Sequence, residues 1–299
     1  MTNYLLLLLS LAAGLTYNVV RNLSMKKHIR TQAENYLFNT VSALFTAAVL
    51  FIMTAVQGEM RLPSLYTLLL GLLFGAVTAL TAILNMRAFG MGPMSYTTVI
   101  ISCSMIIPSL FGLFRGDTLS WAHYVGMAMM LVCMVLSVTR DKDQKKANVA
   151  WFLCCLVTFA LNGSIGIMQQ IHQGSSHKEE LNLFLLVAFL FSAVYSFAGF
   201  LYYHKCKKEE VAVTVRPGKF LFWMCGITGV CVAAANIINL YLSGVMNSAV
   251  FFPVINGGGL ILSALAGIVL FGEKFSAKKW IGLGVGTAAI LLLCLEKIF

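Results

Sequence analysis

Charge is scarce in this sequence. Asp, Glu, Lys and Arg supply 11% of its 299 residues, hydrophobic residues supply 59%, and the mean hydropathy is +0.86. Soluble domains carry roughly 25% charge, and a chain of this length buries no more than about 75% of its unfolded surface. There is too little polar surface here to cover a water-soluble fold. A soluble enzyme, a disordered protein and a nucleic-acid module are excluded as readings of the whole chain. Long polar stretches are missing too: the longest, about 205–219 (KCKKEEVAVTVRPGK), is a loop, and no soluble domain fits between the apolar runs. The period-2 alternation of barrel strands is absent. Cysteine is present eight times but without redox or zinc spacing. Cys154 and Cys155 are adjacent and nearly all eight lie in apolar runs, so they read as small hydrophobes, with no disulfide framework. No HExxH, GxSxG or His/Asp cluster occurs, so neither an enzyme, a metal site nor a cofactor is expected. Residues 1–20 contain no Lys or Arg. The leading LLLLLSLAAGL therefore lacks the basic start of a signal peptide and reads as a spanning helix.

What the chain has is apolar length. Runs of the roughly 20 residues that a membrane-spanning helix needs fall at about 3–23, 33–57, 65–89, 95–115, 119–139, 148–172, 180–204, 218–242, 247–271 and 277–296. The expected fold class is an all-α integral membrane protein with ten transmembrane helices. Ten spans put both termini on one side. The net charge of +10 then sorts itself: 17 of the 21 Lys and Arg residues fall on one face, leaving Arg61, Arg115, Lys178 and Lys297 on the other. Basic residues stay in the cytoplasm, so the reading is a multi-pass protein of the cell's inner (plasma) membrane with both termini outside.

The chain also repeats itself. GDTLSWAHYVG (116–126) aligns with GEKFSAKKWIG (272–282): Gly116 with Gly272, Asp117 with Glu273, Leu119 with Phe275, Ser120 with Ser276, Tyr124 with Trp280 and Gly126 with Gly282. A looser match sets Ser10, Gly14, Arg21 and Asn22 against Thr158, Asn162, Gln169 and Gln170. This divides the chain into two five-helix repeats, 1–146 and 147–299. Five is odd, so the second copy enters the membrane inverted. Inverted repeats flanking a midplane site mark secondary transporters.

Phe271-Gly272-Glu273-Lys274, followed by Ser276, Trp280, Gly282 and a Gly-rich last helix, resembles the Gly-Glu loop of the drug/metabolite transporter superfamily, in its ten-helix EamA-like branch. With the helix number and the repeat, the resemblance covers essentially the whole chain. It implies a carrier of small metabolites or drugs with a central cavity between its halves. Two features depart from the family pattern. Many relatives are thought to keep their termini in the cytoplasm, and the membrane-embedded acid of the small cation exporters is missing from the first helix.

Polar side chains at membrane depth serve as helix glue or as cavity lining. Helix 1 carries Ser10, Gly14, Asn18 and Asn22 on one face; helix 3 carries Thr78, Thr81 and Asn85; helix 6 carries Thr158, Asn162, Gly166, Gln169 and Gln170; helix 8 carries Asn236, Asn239 and Ser243. Asn256 precedes Gly257-Gly258-Gly259, with Pro253 one turn earlier. The expected solute contacts are Asn18, Asn85, Asn162, Gln169, Asn236, Asn239 and Asn256, with Tyr96 and Tyr241 as aromatic walls and Arg21 available to a carboxylate or phosphate. Pro253 with Gly257, Gly258 and Gly259, and Pro108 in helix 4, are the expected hinges. Gly71-x-x-x-Gly75 and Gly282-x-x-x-Gly286 read as packing motifs. Asp117 and Glu273 read as helix-start caps rather than solute ligands. No acid or histidine sits at mid-span, which disfavours a proton-driven organic-cation antiporter. The functional expectation is a secondary transporter that moves a small neutral, zwitterionic or weakly anionic solute by alternating access, as a monomer or homodimer in lipid. The alternatives are a lipid or headgroup flippase, or a proton-coupled multidrug or amino-acid exporter.

Overall fold

The computed structural model describes residues 2–27, 29, 31–91, 97, 100–136, 149–209, 219–271 and 276–295. Among them the chain is helical, with no strand. The helices are α1 (Thr2–Lys27), α2 (Gln32–Val56), α3 (Leu65–Met91), α4 (Ile100–Arg115), α5 (Trp121–Leu136), α6 (Val149–Gln173), α7 (Leu181–Leu201), α8 (Lys219–Val245), α9 (Ser248–Phe271) and α10 (Ala277–Leu295). Among the described residues, six spans are long and apolar enough to cross a membrane: five within α1, α2, α3, α6 and α8, and Lys178–Cys206, which contains α7. Ile100–Arg115, Trp121–Leu136, Ser248–Leu262 and Trp280–Leu293 are shorter apolar helices.

The surface is what a bilayer selects. Leu5, Leu8 and Leu9 on α1 and Val194 and Phe197 on α7 are exposed. Trp121, Trp223 and Trp280 are exposed near helix starts, where indoles sit at the membrane–water interface.

By Cα packing the chain divides into two compact units, 1–79 with 175–241 and 80–174 with 242–299. Each unit takes helices from both sequence halves, 1–146 and 147–299.

In the first unit α2 packs along α7. Small residues allow it. A Cβ at Gly199 would sit 2.3 Å from the Tyr36 ring, and one at Gly75 on α3 would sit 2.3 Å from the Ala188 carbonyl oxygen. The Gly71/Gly75 motif thus seats α3 on α7. The start of α2 is closed by a capping box. Glu34 N–H donates to Thr31 Oγ1 and Thr31 N–H to the Glu34 carboxylate. Glu209 accepts a further bond from Ala33 N–H. At the opposite ends of these helices the buried Glu180 carboxylate accepts from the Ser64 hydroxyl (2.7 Å) and the Ser64 amide (3.1 Å). Ser64 Oγ also accepts from Thr67 N–H, so one cluster fixes the start of α3.

In the second unit α5 packs along α10. Gly286 lies against Cys133 and Gly282 against Leu136, so the second small-residue motif also seats a helix within the chain. In α4, where Pro108 is the expected hinge, 3-10 turns at Cys103–Met105 and Gly112–Arg115 flank an α segment at Ile106–Phe111. Pro108 lies in that segment and supplies no amide to its ladder. Its carbonyl accepts from Gln170 Nε2 at 2.7 Å. Gly163 and Gly166 of α6 approach Ile107 and Pro108 so closely that an added Cβ would clash.

Candidate functional site

One residue of the polar stripe of α1 meets one of the polar stripe of α8. The Ser10 hydroxyl donates to Asn239 Oδ1 at 2.6 Å, and the Ser24 hydroxyl lies 3.0 Å from Met224 Sδ. As α1 advances from Ser10 to Ser24, its partner retreats along α8 from Asn239 to Met224, so the two helices are antiparallel. Between these ties lies Gly14, where an added Cβ would find nothing within 4 Å, although at Gly75, Gly199 and Gly229 the space is taken. Arg21 turns back on its own helix: its guanidinium donates to the Tyr17 hydroxyl and lies 5.7 Å from the ring centroid. Tyr17 precedes Arg21 by four residues, a spacing visible in the sequence. The Asn236 amide donates to the Val232 carbonyl on α8. Asn18 is exposed on α1. Tyr241 does not share the Asn239 face: it lies two positions further on, nearly opposite around the helix, and is exposed.

On α3 the residues Thr78, Thr81 and Asn85 share a face. Their Oγ1, Oγ1 and Oδ1 atoms are buried without a hydrogen-bond partner among the described residues.

On α6, Asn162 is half-buried and Gln169 is buried, on the same face as Thr158. The adjacent Gln170 ties three elements: it donates to Pro108 O, and Gln170 Oε1 accepts from the Ser248 hydroxyl at 3.0 Å. α9 runs unbroken through Pro253 and the glycine triplet, so the expected opening of its backbone is not seen. Gly257 serves close packing, since a Cβ there would meet Met130 Sδ at 2.2 Å. Asn256 is exposed, and its amide donates to Phe252 O on the preceding turn. Tyr96 and Glu273 lie outside the described residues.

Asp117 accepts from Ser248 N–H, so it caps α9 and not the helix that follows it in sequence. The start of α5 is closed by Ser120 and His123 instead: Ser120 Oγ accepts from Ala122 N–H, and His123 Nδ1 accepts from Ser120 N–H. Thr118, Ser120, His123 and Asn247 are among the residues lining a cavity of about 290 Å³ in the second unit. Among the described residues, none of the solute contacts expected from sequence lines it. Among the described residues, no group of three or more His, Cys, Asp or Glu residues is placed to hold a metal ion.

No protein-family model and no curated protein matches this chain. A solved structure described as "Crystal structure of protein" matches it with a TM-score of 0.76 at 15% sequence identity, over 98% of this chain and 96% of the other. The likeness is one of fold, and it runs the length of both chains.

Proposed function

We propose that the chain is a ten-span secondary transporter of the inner membrane, similar to the EamA-like branch of the drug/metabolite transporter superfamily. It moves a small neutral, zwitterionic or weakly anionic solute by alternating access through a central cavity between two inverted five-helix repeats. The chain does no covalent chemistry, needs no cofactor, and places both termini outside.

The observation that carries this reading is the Ser10–Asn239 bond, which joins one residue from each of two polar stripes on long apolar helices. A hydroxyl–amide bond in a membrane returns only about 0.6 kcal/mol on average. Most of each stripe is therefore better explained by a wet path than by helix adhesion. The helix pairing supports the repeat. α2 pairs with α7 and α5 with α10, and in each case the partners are five helices apart, as self-pairing across an inverted duplication requires.

The test is transport by the purified chain in liposomes. Saturable solute uptake, accelerated by unlabelled solute on the far side, is expected of this carrier. Lipid redistribution without solute flux would replace it with the flippase reading.

A further inference from the structure

We infer that Thr78, Thr81 and Asn85 form a hydrogen-bonding rail for the transported solute, and that the solute is uncharged with several hydroxyl or amide donors. The inference rests on the carrier reading above and narrows it.

Threonine inside an apolar helix has a ready partner, the carbonyl four residues back. Thr40, Thr46, Thr54 and Thr158 all take it, at 2.8 to 3.0 Å. Thr78 and Thr81 do not. Their hydroxyl oxygens and Asn85 Oδ1 are buried with no partner among the described residues, and Thr81 as a whole is only 4% exposed. A buried polar atom left unpaired is costly, and two of these three forgo a bond within reach on their own helix. The fold gains nothing from that arrangement. A ligand that enters and leaves does. The three positions span seven residues of α3, roughly 10 Å at 1.5 Å per residue, which suits a solute that presents donors along its length.

The chemistry of the rail sets the class. Asn85 Oδ1 only accepts, and the hydroxyls accept or donate. The only charged side chain on α3 is Arg87, which is exposed and two positions beyond Asn85, on the far side of the helix. An anion would find no cation along this face, and a cation no carboxylate.

The test combines stability and flux. Thr78→Val, Thr81→Val and Asn85→Leu keep side-chain volume and remove the polar atom. The purified variants are expected to melt at or above the wild-type temperature, whereas Thr46→Val, which breaks bonds to Ser42 O and Gly229 O, melts lower. Proteoliposomes are then challenged with mannitol, glucose and acetamide, with gluconate and choline as charged counterparts, and swelling is followed by light scattering. Faster entry of an uncharged probe, reduced about tenfold or more by Thr81→Val, supports the rail. Valine variants that melt lower and swell normally would make these residues helix glue and overturn it, as would gluconate or choline entering as fast as the uncharged probes. If the wild type admits no probe, charged or uncharged, the carrier reading itself falls and the rail with it.

Discussion

Asp117 Oδ2 accepts a hydrogen bond from the backbone amide of Ser248 at 2.9 Å, closing the first turn of a helix 131 residues away in sequence. From the same connection, Arg115 donates to the Ser243 carbonyl at 2.7 Å at the end of α8. One loop thus places an anion at a helix start and a cation at a helix end, each complementing the local helix dipole.

Removing the anion has a defined cost. Asp117→Ala is expected to lose about 1 kcal/mol, the usual worth of such a cap, and Asp117→Asn less. Thermal unfolding in detergent checks this, with a drop of roughly 2–4 °C for the alanine variant. An unchanged midpoint would mean that the cap contributes nothing.

Two glycines on apolar helices should respond oppositely to the same change. Gly75→Ala puts a methyl 2.3 Å from a backbone oxygen of α7 and should cost about 1–3 kcal/mol through overpacking. Gly14→Ala meets nothing within 4 Å and should be neutral or stabilise by up to about 1 kcal/mol, the difference in helix propensity. Melting curves of the two variants, measured side by side, decide it.

The Ser10–Asn239 bond should be weak. A double-mutant cycle with Ser10→Ala and Asn239→Leu is expected to give a coupling near 0.6 kcal/mol. A coupling well above about 2 kcal/mol would make this contact structural glue and weaken the case for a wet path beside it.

Glu180 and Arg61 are 3.8 Å apart, but the Glu180 side chain is 9% exposed and the Arg61 side chain 57%. Arg61→Ala should change stability by no more than about 0.5 kcal/mol, as for an exposed ion pair. Glu180→Ala should cost about 1–3 kcal/mol, because it strips the Ser64 amide and hydroxyl of their acceptor. Equal effects would mean that the ion pair, not the cap, is what matters.

The sequence made the long helices legible, because a run of about 20 apolar residues has few other uses. It also made both small-residue motifs legible: Gly71/Gly75 and Gly282/Gly286 seat α3 and α10 against neighbouring helices. The 3-10 turns of α4 were not legible. Pro108 signals a disturbance, but its extent depends on Gln170 of α6 taking the Pro108 carbonyl. That Asp117 caps α9 rather than α5 was hidden for a similar reason, since the decisive partner lies far along the chain. Among the polar stripes, composition marked Thr78 and Thr81 as no different from Thr46 or Thr158. What separates them is which hydroxyls bond back to their own helix, and that depends on what each helix face packs against.

Inversion of the repeats can be measured directly with single cysteines at Thr118 and Ser276, both exposed and each just past its copy of the Gly-acid motif. In a background with the eight native cysteines replaced, a membrane-impermeant maleimide added to intact cells is expected to label Thr118→Cys. Ser276→Cys should be labelled only after the membrane is opened. Labelling of both from the same side would place the two motifs on one face of the membrane and contradict the inverted architecture.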